Sequence, residues 1–166
     1  MSFAQYREMQ GRLQILILGP YAPKRALERL EILQKCLIGK GFSQTSLVKD
    51  FSDKETYSQD PDEHFTLKSQ KLIKEWAHVP IFIFLKDADN QGVTIELTYT
   101  CVTLTDKQSC CATFFEGDWE NFSRLMRGQV KLTKRVSFSD FDNDADLCDL
   151  AGGHALKILD RLYYFL

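Results

Sequence analysis

Residues 79–85, Val-Pro-Ile-Phe-Ile-Phe-Leu, form an unbroken apolar run that gives way to Lys86-Asp87-Ala88-Asp89-Asn90-Gln91-Gly92, a polar stretch with turn chemistry. The run is too short for an average helix and shows no polar alternation, which is the pattern of a strand buried on both faces. Such a strand needs helices packed on each side of its sheet, and this requirement narrows the fold to the α/β class. Residues 13–18 read the same way and stop sharply at Gly19-Pro20-Tyr21-Ala22-Pro23.

The remaining elements follow from period and punctuation. Ser2 caps an expected helix over 2–10 that Gly11 would end. Over 24–40, Leu27, Leu30, Leu33, Leu37 and Ile38 recur at helical spacing, and Gly39 and Gly41 close the pattern. A second strand is expected over 42–48, then a long polar loop over 49–62. Asp62 or a neighbour caps a helix with Phe65, Leu72, Ile73 and Trp76 on one face and Lys68, Lys71 and Lys74 on a solvated one.

Residues 92–104 carry conflicting signals. Thr94, Thr98, Thr100 and Thr103 favour strand by propensity. However, 109–115 reads as another buried strand, and two parallel strands need a crossover between them, so this segment is expected to be helical. Asp118 then caps a short helix carrying Trp119, Phe122, Leu125 and Met126, with Gly128 after it. A last strand is expected over 130–138, an acidic loop over 139–146 and a closing helix over 147–165. The expected architecture is a single α/β domain spanning 1–166, with a five-stranded, mostly parallel sheet flanked by helices in the flavodoxin/Rossmann-like manner.

Composition excludes several functions. With 21 Lys and Arg against 23 Asp and Glu the net charge is −2, which argues against an extended nucleic-acid surface. No apolar run reaches the roughly 18 residues of a membrane span, and the first residues carry charges instead of a signal-peptide core. The five cysteines form no CxxC pair, and His64, His78 and His154 are scattered, so no metal site and no cofactor are expected. Cys110-Cys111 reads as two small buried side chains in a reducing cytosol, and a cytoplasmic protein is expected.

Three loops should converge at the carboxyl edge of the sheet, over 19–25, 49–62 and 86–92. The first offers backbone N–H groups at a helix start together with Lys24 and Arg25, suited to an anion. It matches neither the P-loop nor the GxGxxG pattern. Gly19-Pro20-Tyr21 after the first strand, residues 65–77 leading into an apolar strand, and Gly92-Val93-Thr94-Ile95-Glu96-Leu97 together resemble the nucleoside 2-deoxyribosyltransferase-like superfamily, which includes 2'-deoxynucleoside 5'-monophosphate N-glycosidases and CMP hydrolases. Leu125-Met126-Arg127-Gly128 and Leu159-Asp160-Arg161 fit the same order of elements.

The resemblance implies cleavage of the N-glycosidic bond of a nucleoside or nucleotide by hydrolysis or deoxyribosyl transfer, with Glu96 as the catalytic carboxylate. An oxocarbenium-like transition state needs an ionised carboxylate beneath the sugar, and a first-turn position would hold it ionised through the helix dipole. The resemblance also implies substrate contacts from Gly19, Pro20, Tyr21, Lys24, Arg25 and Gly92, and a homodimer in which Ser123 reaches a phosphate across the interface. Gln70 stands where the family commonly has an aspartate; as a substrate-binding candidate its amide can hydrogen-bond a sugar hydroxyl or a base, but it cannot act as a general acid. Asp60, Asp62, Asp87 and Asp89 are the nearby carboxylates that could replace it. The alternative is a nucleotide-binding or sensing module that kept the pocket and lost the chemistry.

Overall fold

The computed structural model describes residues 2–53, 57–133 and 135–163. Five parallel strands, β1 (Ile15–Leu18), β2 (Thr45–Leu47), β3 (Val79–Phe84), β4 (Ala112–Glu116) and β5 (Ser137–Phe141), lie in the order β2-β1-β3-β4-β5. Ile15 pairs with both Thr45 and Val79, and Ile81 with Ala112, so the register carries across the sheet. This is the flavodoxin-like order, and the strand order reverses between β1 and β3 while every pair stays parallel.

Among the described residues six α-helices complete the layers: α1 (Phe3–Arg12), α2 (Lys24–Gly39), α3 (Pro61–Lys71), α4 (Gln91–Thr103), α5 (Arg124–Leu132) and α6 (Asp144–Tyr163). Because strand side chains alternate between faces, each apolar run feeds two cores. Ile15, Ile17, Ile81 and Ile83 pack with Leu30, Leu33 and Leu37 of α2 and with Ala151, Ala155 and Ile158 of α6. Leu16, Leu18, Phe82 and Phe84 pack on the other face with Val93, Leu97 and Cys101 of α4 and with Met126 and Val130 of α5.

The threonine-rich segment is helical as expected. Val93, Leu97, Thr100 and Cys101 line its inner face, while the Thr94 and Thr100 hydroxyls donate to the carbonyls of Asn90 and Glu96 four residues back. Topology overrides β propensity here, because β3 and β4 can be parallel only through a crossover.

The C-terminal third differs from expectation. Asp118 caps a 3-10 turn over Trp119–Asn121, and Ser123 caps a separate α5 in which Gly128 is interior. Residues 130–132, expected in the last strand, finish this helix, since Met126 and Val130 sit one turn apart on its buried face. β5 therefore begins only at Ser137. α6 starts earlier than expected, at Asp144, and residues 164–165 of the expected helix lie outside the described residues. At the other end, Ser2 and Gln5 form a capping box and α1 continues through Gly11 to Arg12.

Two further corrections concern side chains. Lys68, expected on a solvated face, is buried, and its ammonium donates to the Phe51 carbonyl and to Asp53, each at 2.6 Å. Cys36 on α2 and Cys148 on α6 form a disulfide with Cα atoms 6.3 Å apart. That bond is at odds with the reducing compartment expected from sequence, since disulfides persist chiefly in oxidising ones. Cys111 is buried and Cys110 half-buried, both as thiols. Among the described residues no helix is long and apolar enough to cross a membrane.

Candidate functional site

The site forms where β1 and β3 end and the chain diverges to opposite sides of the sheet. Gly19 leaves β1 in the narrow space between α2 and β3. A Cβ there would lie 2.9 Å from Leu30 Cδ2 and 3.3 Å from the Ile83 carbonyl oxygen, so a side chain cannot be fitted without displacement. The loop then runs through a cis Ala22-Pro23 bond into α2.

The second loop is locked by one side chain. Asn90 Oδ1 accepts from the Leu85 N–H at 3.1 Å, and its Nδ2 donates to the carbonyls of Leu85 at 2.8 Å and Ala88 at 3.2 Å. The Asp89 N–H donates to the Ala22 carbonyl at 3.0 Å and so ties the two loops together. The start of α4, and Glu96 with it, is thereby fixed against the Gly19 loop.

Glu96 lines a cavity of about 230 Å³ together with Gly19, Tyr21, Phe65, Asp89 and Gly92. Its carboxyl group is pushed up from 4.5 to about 7 because burial strips water from the charged form, and a hydrogen bond with Ser69 only partly offsets this. The first-turn expectation needs correction: α4 starts at Gln91, Glu96 lies in its second turn, and the dipole falls off within the first. Desolvation wins, and near neutrality the carboxyl is divided between its two forms.

Tyr21 forms the adjoining wall. Its ring meets Phe65 edge to face, with centroids 6.1 Å apart and planes at 75°. Its hydroxyl accepts weakly from the Lys49 N–H at 3.4 Å. Burial, with a further contribution from the charge of Glu96, pushes the phenol up to about 12, so it stays protonated and able to donate. The wall containing Val48 is held by the Lys68 contacts to Phe51 and Asp53, and His64 Nε2 lies 3.3 Å from the same Asp53 carboxylate.

Of the residues picked out from sequence, the cavity gathers Gly19, Pro20, Tyr21, Asp89, Gly92 and Glu96. Lys24 lies outside it, 90% exposed and paired with Glu28 at 3.7 Å. Arg25 lines a neighbouring cavity with Arg29, Lys86 and Glu116. Gln70 is half-buried but not part of the lining. Ser123 caps α5, its hydroxyl accepting from the Met126 N–H at 3.3 Å, and borders a shallower hollow beside Asp89 and Ile95. Asp60 caps α3 and Asp87 faces the neighbouring cavity, so among the four candidate aspartates Asp89 alone reaches Glu96's cavity.

The sequence pattern assigned Phe65 to a buried helix face, yet it is 44% exposed at the cavity mouth. Ser69, which hydrogen-bonds Glu96, carried no signal beyond lying one residue before Gln70. Among the described residues no group of three or more His, Cys, Asp or Glu side chains is arranged to hold a metal ion.

The fold and site define a three-layer α/β domain with a half-buried carboxyl group in a small cavity at the topological switch point. No family model matches the chain, and no curated protein matches it by sequence. The chain is similar to the solved structure of the Clostridium botulinum CMP N-glycosidase BcmB, with a TM-score of 0.54 and 18% identity, covering 92% of this chain and 100% of that one. That likeness establishes a related fold.

Proposed function

We propose that the chain cleaves the N-glycosidic bond of a nucleoside or nucleotide, with Glu96 as the carboxylate beneath the anomeric carbon. The observation that carries this reading is Glu96 itself: a carboxyl group with its pKa raised to about 7, facing a cavity instead of a partner cation. Perturbed carboxyls in clefts are what general acid–base and glycosidic chemistry require. The cavity is at the small end of ligand pockets, which run about 300–1,000 Å³, and suits a pentose with part of its base. The neighbouring fold belongs to an enzyme named for the same reaction class.

In this reading the C1'–N bond lengthens, its electron pair leaves with the base, and positive charge develops on the sugar. An ionised Glu96 in a water-poor setting stabilises that charge more strongly than it would in bulk water, either as an ion pair or through a glycosyl ester that water then opens. The Tyr21 hydroxyl is positioned to donate to a sugar oxygen. Asp89, the other carboxylate of the cavity, is the candidate to hydrogen-bond the departing base or the incoming water. Gly92 leaves open space at the start of α4, since nothing lies within 4 Å of where its Cβ would be.

A second copy of the chain fits the same reading. Ile95 and Val102 on the outer face of α4 are 58% and 68% exposed, and Ser123 borders a hollow on that side. A homodimer across this face would cover them.

The alternative is a binding module without turnover, and Gln70 favours it. The amide cannot supply the acid that the resemblance calls for, and Asp89 is exposed. Incubation with a panel of nucleosides and nucleoside monophosphates, followed by chromatography for free base, separates the two. Base release that disappears in Glu96→Gln supports the enzyme. A ligand-induced rise in melting temperature with no release from any member supports the binding module.

A further inference from the structure

At the opposite edge of the sheet, where β4 and β5 begin, a polar cavity of about 210 Å³ opens between α6 and the loop leading into β5. Its rim carries Arg135, Lys157 and Arg161, together with Ser109 and Ser137, and His154 is buried in its floor. No carboxylate lines it, and among the described residues none pairs with any of the three cations. All three cations are exposed, so their charges stand at the mouth in reach of a ligand from solvent.

The macrodipole of α6 explains Arg161, which lies in the last turn, but not Lys157 more than a turn earlier, nor Arg135, which belongs to a different segment. Arg161 is oriented by donating to the Ser109 carbonyl at 3.3 Å, which places its guanidinium over the mouth. The buried imidazole registers the same field. Burial chiefly, and then Lys157 and Arg161, hold His154 below the usual histidine range, while its Nε2 lies 3.0 Å from the Cys110 carbonyl. Three like charges converge on a concave site with two hydroxyls at its edge and no anion of the protein's own.

We infer that this cavity, formed by Arg135, Lys157, Arg161, Ser109 and Ser137, is a binding site for a phosphate-type oxyanion, either free phosphate or the phosphate of a small ester. Guanidinium and ammonium donors together with hydroxyls match the oxygens of a tetrahedral anion. The site lies beyond the amino ends of the strands, whereas the Glu96 cavity lies at their carboxyl ends, so the two can be occupied independently.

The test is an amide chemical-shift titration of the full chain with inorganic phosphate and, separately, with glycerol 3-phosphate, each against chloride at matched ionic strength. Saturable shifts centred on Ser109, Ser137 and His154 are expected. They should weaken at least tenfold in an Arg135→Gln, Lys157→Gln double variant whose remaining spectrum is unchanged, and persist in Glu96→Gln. Tighter binding of the ester identifies a phosphate monoester as the ligand, and equal or weaker binding identifies the free anion. If the double variant misfolds, Lys157→Gln alone should weaken binding about threefold. Shifts that follow chloride, that survive both variants, or that gather around Tyr21 and Glu96 overturn the assignment.

Discussion

Replacing Glu96 by glutamine should stabilise the protein at alkaline pH while leaving its acid stability unchanged. In the unfolded chain the carboxyl ionises near 4.5, but in the folded state burial holds its proton until about 7. Between those values the folded state binds a proton that the unfolded state has released, so stability falls as pH rises through the window and then levels off. At about 1.4 kcal/mol per pH unit, the accumulated cost above pH 7 is about 3 kcal/mol. Glutamine occupies the same volume, can still accept from Ser69 and never ionises. The difference in unfolding free energy between Glu96→Gln and the parent chain should therefore be near zero at pH 4 and about 3 kcal/mol in favour of the variant at pH 8, or about 6–12 °C in melting temperature for a domain of this size. Urea unfolding of both proteins from pH 4 to pH 8 measures the difference directly, and the titrations of other groups cancel in the comparison. A flat difference, or a variant less stable than its parent at pH 8, would refute the idea that desolvation dominates at this carboxyl.

Phe65→Ala removes one wall of the cavity and the edge-to-face partner of Tyr21; an aromatic pair of this kind contributes about 0.5–1.5 kcal/mol, so steady-state kinetics should show KM raised about 2–10-fold with a smaller change in kcat. Thiol titration of the denatured, unreduced protein should find three free thiols, Cys101, Cys110 and Cys111, instead of five. Reduction breaks a cross-link between positions 112 residues apart and should cost at most about 4–5 kcal/mol in chemical unfolding; a titration of five thiols would contradict the pairing. Ile95→Asp should convert a dimer to a monomer in light scattering, because it places a charge on the exposed face of α4; a parent chain that is monomeric at high concentration would remove the proposed second copy.

Much of the fold was legible because the strands are buried on both faces. Runs such as 13–18 and 79–85 have few alternatives, and the parallel arrangement followed from their being separated by helix-length segments. The crossover helix α4 was legible only through topology, against the propensity of its threonines. Residues 118–138 were not legible, because a short amphipathic helix and an edge strand both mix apolar and polar residues at short range, and both Asp118 and Ser123 act as caps, the first for a 3-10 turn and the second for α5, whose Met126 and Val130 pack on the sheet. At the site, the Gly19 loop could be read from turn punctuation, whereas Glu96 was picked out through the family resemblance. The contributions of Phe65, Ser69 and Lys68 could not, since each depends on where the segment before α3 folds back. The cysteine pair joins helices far apart in sequence, and sequence carries no distance between them.

Whether Glu96 performs glycosidic chemistry is tested most directly by measuring base release from the best substrate in the nucleotide panel across pH 5–9, for the parent chain and for Glu96→Gln. An ionised carboxylate acting on the sugar predicts kcat/KM rising through about pH 7 to a plateau, and a loss of at least about a thousandfold in the folded variant. Base release that the variant retains at parental rates, or that has no inflection near pH 7, would contradict it.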